Sequence, residues 1–150
     1  MQTLQAVQDY LHEHIPLSKA MGVEVRKADR EGVVLSAPLG PNINHRETVF
    51  GGSASSIAIL AAWSVVHFGL QREGLTCRVV IQKNTMSYDK PIAGVFTAKC
   101  NAPDEETWKR FVTTIKRKKM ARIEVLSVLE YNHQVAGKME GVFVAIRTDQ

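Results

Sequence analysis

The sequence predicts an α+β domain in which one antiparallel β-sheet wraps around a single apolar helix. Three observations carry that prediction. Residues 53–68 hold Ala54, Ile57, Ala58, Ile59, Leu60, Ala61, Ala62, Trp63, Val65 and Val66, interrupted only by serines and His67. A helix apolar nearly all round must be buried on most sides. Four later segments, 79–88, 94–102, 120–131 and 134–147, are rich in Val, Ile, Thr and aromatic residues and read as strands. Finally, 150 residues are one domain's worth, so residues 1–150 form a single unit.

The elements follow in chain order. Leu4, Val7, Leu11 and Ile15 share one helical face, so residues 3–14 read as a short amphipathic helix stopped before Pro16. Residues 21–28 and 32–39 read as two strands joined by a turn at 29–32. Residues 40–52, with Gly, Pro and two Asn, are too polar and irregular for either element and form a loop. The buried helix comes next, about 24 Å long at 1.5 Å per residue, with Gly69 expected to end it. After the first two late strands, residues 103–117 read as a helix. Asp104, Glu105 and Glu106 mark its start, and a basic run closes its end. Ala121, Ile123, Val125, Ser127, Leu129 and Tyr131 then alternate with more polar neighbours, and Asn132-His133 suits a tight hairpin turn. One flank of such a sheet stays uncovered in a monomer, which a second copy joined edge to edge would cover.

Composition narrows the function. The formal charge is +4, but seven basic residues and no acid lie between Lys109 and Arg122, so the rest of the chain is slightly acidic. A uniformly basic nucleic-acid coat is excluded, and the basic window lacks interleaved aromatics. No apolar run reaches the ~20 residues of a membrane span, and the N-terminus lacks a signal-peptide pattern. Neither nucleic acid nor membrane is expected as a partner. Cys77 and Cys100 match no metal spacing; one disulfide is open to them, but a reduced pair in a cytoplasmic protein is expected.

The stretch NINHRETVFGGSASSIAILAAWSVV, followed about twenty residues later by YDKPIAG, resembles the hot-dog-fold acyl-thioester hydrolases. It is most similar to the thioesterases related to the YiiD C-terminal domain. HIPLSKAMGV and WKRFVTTIKRKKMARIEV extend the likeness over nearly the whole chain, and FGGS at the head of the buried helix is its most specific part. The resemblance implies the hot-dog fold, a homodimer or homotetramer with the active site between protomers, and an acyl thioester of coenzyme A or acyl carrier protein as substrate. No cofactor is implied beyond coenzyme A as part of that substrate, and no metal.

FGGS also has a chemistry of its own. Gly51 and Gly52 allow backbone geometries closed to other residues and let a ligand approach the main chain. Free N–H groups at a helix start carry partial positive charge and would stabilise a thioester oxyanion. The plainer reading is a tight turn into a crowded helix. Asn44 lies seven residues before Gly51, a spacing shared with many hot-dog thioesterases, and would position water or the thioester; otherwise it shapes the loop. Two positions depart from a common subgroup. Phe50 stands where that subgroup has His, and Ile59 where it has a catalytic Asp. Substitute bases must come from Glu47, His45 or Asp89. Ser53 and Ser55 read as caps or packing, with Ser53, Phe50 and Ile57 near any bound acyl group. Ile57, Leu60, Ala61 and Trp63 would line an acyl tunnel or simply form core. Lys116, Arg117, Lys118 and Lys119 either complement the helix end or dock the phosphates of coenzyme A or an acidic carrier.

Hydrolysis of an acyl thioester is therefore the expected function. A module that holds the thioester without turnover is the alternative, suggested by the missing helix acid.

Overall fold

The computed structural model describes residues 2–149. The elements are α1 (Leu4–His14), α2 (Pro16–Ala20), β1 (Glu24–Asp29), β2 (Gly32–Ala37), a single 3-10 turn (Gly40–Asn42), α3 (Gly51–Arg72), β3 (Cys77–Tyr88), β4 (Phe96–Asn101), α4 (Glu105–Lys118), β5 (Met120–Tyr131) and β6 (Gln134–Arg147). The six strands form one antiparallel sheet in the order β1-β2-β4-β5-β6-β3, and α3 packs against β2 through β6. Leu35, Ile57, Val66, Phe96, Leu129, Met139 and Phe143 lie at the centre of the core between helix and sheet. The buried Ser127 hydroxyl ties the two layers by donating to the Ala58 carbonyl at 2.7 Å.

The central helix is longer than the sequence suggests, and both its ends are corrections. It starts at Gly51 and runs through Gly69 to Arg72. Gly69 does not stop the helix; it makes room, because a Cβ there would stand 2.7 Å from the Trp108 ring. The stop is Gly74, at φ +75°, where the Leu75 N–H reaches the Leu70 carbonyl at 3.0 Å and both leucines are buried. At 22 residues α3 is long and apolar enough to cross a membrane, contrary to the reading of its run as too short. Of its most apolar 18-residue window, 67% is buried inside the fold, as in the core helix of a globular domain.

Smaller differences have equally local causes. Pro16 ends α1 but also opens α2, where its fixed φ suits the first helical position. β3 begins at Cys77 rather than residue 79, and β4 omits residues 94, 95 and 102. The β5–β6 hairpin turns at Asn132 and His133, whose φ angles of 53° and 62° are the paired positive values of a type I′ turn. Cys77 and Cys100 are both free, and burial pushes the Cys100 thiol up to about 11.

The two sheet edges are treated differently. At β1, the Gln8 side chain accepts from the Val25 N–H at 3.0 Å, and His12 bonds the Val23 carbonyl at 2.8 Å. Helix α1 thus occupies that edge. β3 pairs with β6 on one side only, and its residues from Gln82 to Thr85 are exposed. Long uncovered edges are where strands of another chain add.

Candidate active site

The loop before α3 is built to present the helix start. Buried Asn42 donates to the Met21 and Pro38 carbonyls at 2.9 and 2.8 Å, and its own carbonyl accepts from the Phe50 N–H at 2.7 Å. The Val49 N–H is held by the Ile92 carbonyl at 2.8 Å. Asn44 turns inward on the same loop. Its Oδ1 accepts from the N–H groups of Arg46 and Thr48 at 2.8 and 3.1 Å, and its Nδ2 donates to the Thr48 hydroxyl at 2.9 Å. All these contacts lie within the loop. His45 and Glu47 project from it into solvent, Glu47 with φ 64°.

Phe50 is the N-cap of α3, with φ −60° and ψ 135°, and no side chain caps the helix. The first N–H groups of a helix have no intrahelical partner, so those of Gly51, Gly52 and Ser53 have no such bond. Neither glycine has positive φ, which corrects the expectation of unusual backbone geometry. Gly52 is needed for close approach instead, while Gly51 has room for a side chain. A Cβ on Gly52 would fall 2.3 Å from the Phe50 ring, and one on Gly51 would sit 3.5 Å from the Tyr88 ring. Phe50 and Tyr88 are each 58% exposed, so two aromatic rings flank the uncapped amides.

A cleft of about 300 Å³ opens here, lined by Gly51, Ala54, Tyr88, Asp89, Ile92 and Ala136 among others. Asp89 is fixed at the end of β3, its N–H donating to the Ala136 carbonyl at 2.9 Å. The fold therefore brings Gly51 and Asp89 together, while His45 and Glu47 stand outside the lining. Ser53 is half-buried beside the cleft's Gly51, and Ile57, one turn further on, is wholly buried in the core. Sequence reasoning missed Tyr88. It stood in the quoted YDKPIAG beside Asp89, but only the chain path shows that its ring meets Gly51.

The basic run is elsewhere in the same chain. Lys116, Arg117 and Lys118 close α4, and Lys119 is its left-handed cap, all of them exposed. They adjoin Met120 and Ile146, whereas the cleft adjoins Leu129 and Ala136. Nine residues of strand separate the two ends, about 30 Å. Within one chain the patch and the cleft do not meet.

A stack of rings runs along the outer side of α3. Trp63 and His67 lie 4.4 Å apart at 11°, and His67 stacks on Tyr10, which meets His14. Trp63 also donates to the Val79 carbonyl at 2.9 Å, tying α3 to β3. Burial, reinforced by the neighbouring His14, pushes His67 down to about 4. Its folded value lies below the ordinary 6.5, so the unfolded chain takes up the proton first as pH falls. Stability is expected to fall between pH 6.5 and 4 by about 1–2 kcal/mol, after allowance for partial exposure. Urea midpoints measured across that range should flatten in His67→Phe, and an equally steep loss in that variant would assign the effect elsewhere.

Comparison with known proteins agrees with this fold. The family model described as "Putative thioesterase (yiiD_Cterm)" matches residues 4–147. A crystal structure of a protein of unknown function from Chlorobaculum tepidum superposes with TM-score 0.91 at 31% identity, covering 96% of this chain and 94% of that one. One from Shewanella oneidensis, named a "putative thioesterase", gives TM-score 0.85 at 24% identity, with 95% and 96% covered. A thioesterase from Haemophilus influenzae gives TM-score 0.78 at 10% identity, with 100% and 94% covered, a likeness of fold alone. The chain belongs to the family described as "Putative thioesterase (yiiD_Cterm)" and has the hot-dog fold.

Proposed function

We propose that the protein hydrolyses an acyl thioester, carried by coenzyme A or an acyl carrier protein, to a free acid and a thiol. One observation carries this reading: the uncapped start of α3 opens into the cleft that also holds Asp89. The amides of Gly51 and Gly52 stabilise the oxyanion that forms when water attacks the thioester carbonyl. Asp89 takes the proton from that water. Tyr88 and Phe50 wall the reacting group on either side.

A dimer joined through the free β3 edge would fit the same scheme. Antiparallel pairing of two β3 strands would set the Cys77 end of one protomer against the Tyr88 end of its partner. The Lys119 N-terminal to β5 lies beside Arg147 of β6, which pairs with Cys77 of β3. Three strand spacings then separate one protomer's basic run from the other's cleft, about 15 Å rather than 30 Å. The patch would serve the neighbouring site, holding the phosphates of the carrier.

Thiol release from short, medium and long acyl-CoA and acyl-carrier substrates tests the reading. Asp89→Asn is expected to lower kcat by about 10²–10⁴ with little change in melting temperature, and Glu47→Gln to leave kcat nearly unchanged. Saturable acyl-CoA binding with no thiol release from any substrate would make the domain a binding module instead.

A further inference from the structure

The far end of α3 has clefts larger than the one at Gly51. One, of about 700 Å³, lies between the start of α1, the β1–β2 turn and the last turn of α3. Its floor is Val7, Ala28 and Phe68, two of them almost wholly buried. A second, of about 480 Å³, runs between α3 and α4 beside Gly69 and Trp108. Arg30 and Arg72 line both clefts and so mark the line where they meet. Gly51 is 21 residues from Arg72 along the helix, about 30 Å.

The charge arrangement at that junction is unusual. Among the described residues, neither arginine forms an ion pair, although Asp29, Glu31 and Glu73 are chain neighbours. The acids are engaged otherwise. Glu31 pairs with Lys27 at 2.8 Å, Asp29 Oδ1 accepts from the Glu31 N–H at 2.8 Å, and Glu73 accepts from the Trp108 indole at 3.0 Å. Arg72 spends one N–H on the Asp29 carbonyl at 3.2 Å, and among the described residues its other donors have no protein partner. Burial, and then the nearby Arg30, work against its charge. Two guanidinium groups at the rim of an apolar floor are complementary to an anionic head on an apolar tail. The three surrounding acids would repel a dianion more than a monoanion.

We propose that this cleft is a second small-molecule site, distinct from the Gly51 cleft, that takes an amphipathic carboxylate. Its head lies between Arg30 and Arg72, and its chain lies on Val7, Ala28 and Phe68. The proposal is independent of thioester hydrolysis, since a protein with no hydrolytic activity would still bind here.

Titration of the ¹⁵N-labelled full chain with octanoate tests it. Saturable shifts are expected at the amides of Ala28, Gln71 and Arg72. Octanol should bind much more weakly for want of the charge, and octyl phosphate more weakly than octanoate. Arg30→Gln with Arg72→Gln should weaken octanoate about tenfold or more, from the loss of charge-assisted bonds. Gln71→Glu, a change at an exposed rim position, should weaken it several-fold without touching the core. The proposal is overturned by absent shifts, by shifts confined to Gly51, Tyr88 and Asp89, or by octanoate affinity unchanged in these variants. Octanol or octyl phosphate binding as tightly as octanoate would overturn the carboxylate assignment.

Discussion

A Gly51→Pro protein is expected to keep its fold and lose about 10²–10³ in kcat for thioester cleavage. Proline removes one backbone N–H and little else at this position. Gly51 is the first residue of α3, where the N–H has no intrahelical acceptor and the proline φ suits the helix. Phe50 before it already has φ −60° and ψ 135°, the extended conformation that a following proline demands. A Cβ at Gly51 meets the Tyr88 ring at 3.5 Å, an ordinary contact. The substitution thus separates the oxyanion role from the structural one. Steady-state thiol release and a melting curve on the same sample decide the matter. Full activity in a folded Gly51→Pro protein would remove this amide from the mechanism.

The largest loss of stability is expected at a glycine far from that cleft. Gly32 opens β2 at φ +149° and pairs with Asn101 of β4. A Cβ there would stand 2.4 Å from the Cys100 carbonyl oxygen and 3.0 Å from the Asn101 Cα. Both obstacles are backbone of the neighbouring strand, so no side chain can swing aside. Gly32→Ala is expected to cost about 3 kcal/mol or more from strain and forced strand separation. In a domain of this size that lowers Tm by roughly 10 °C. Gly40→Ala is the control, since nothing lies within 4 Å of a Cβ there. Urea midpoints of the two variants should differ sharply; equal midpoints would mean that β2 and β4 can move apart at little cost.

The contrast between these glycines shows what sequence can and cannot convey. The central helix was legible because its apolar residues leave no polar face, and α4 because Asp104 accepts from the Thr107 N–H at 2.8 Å as its sequence suggests. The β5–β6 hairpin was legible from alternation and the Asn132-His133 turn. Gly69 was misread because a glycine that stops a helix and one that admits a tryptophan look alike in one dimension. The same limit hid Tyr88, whose meeting with Gly51 depends on where β3 ends. For Asn44, the spacing to Gly51 could be read but not the bonds that occupy its amide. The distance between the basic run and the cleft depends on strand direction, which residue types do not encode.

The chain has two tryptophans, and the fold gives them different neighbours. Trp63 lies flat on His67, so its emission should be quenched when that imidazole gains a proton. Trp108 lines the cleft beside Arg72 and is bonded to Glu73, so its emission should answer to an occupant at the end of α3. Replacing either ring by phenylalanine would leave a single tryptophan, Trp63 reporting acid strain in the stacked rings and Trp108 reporting ligand arrival. The molecule carries its own optical readout at two separate places, with no label attached.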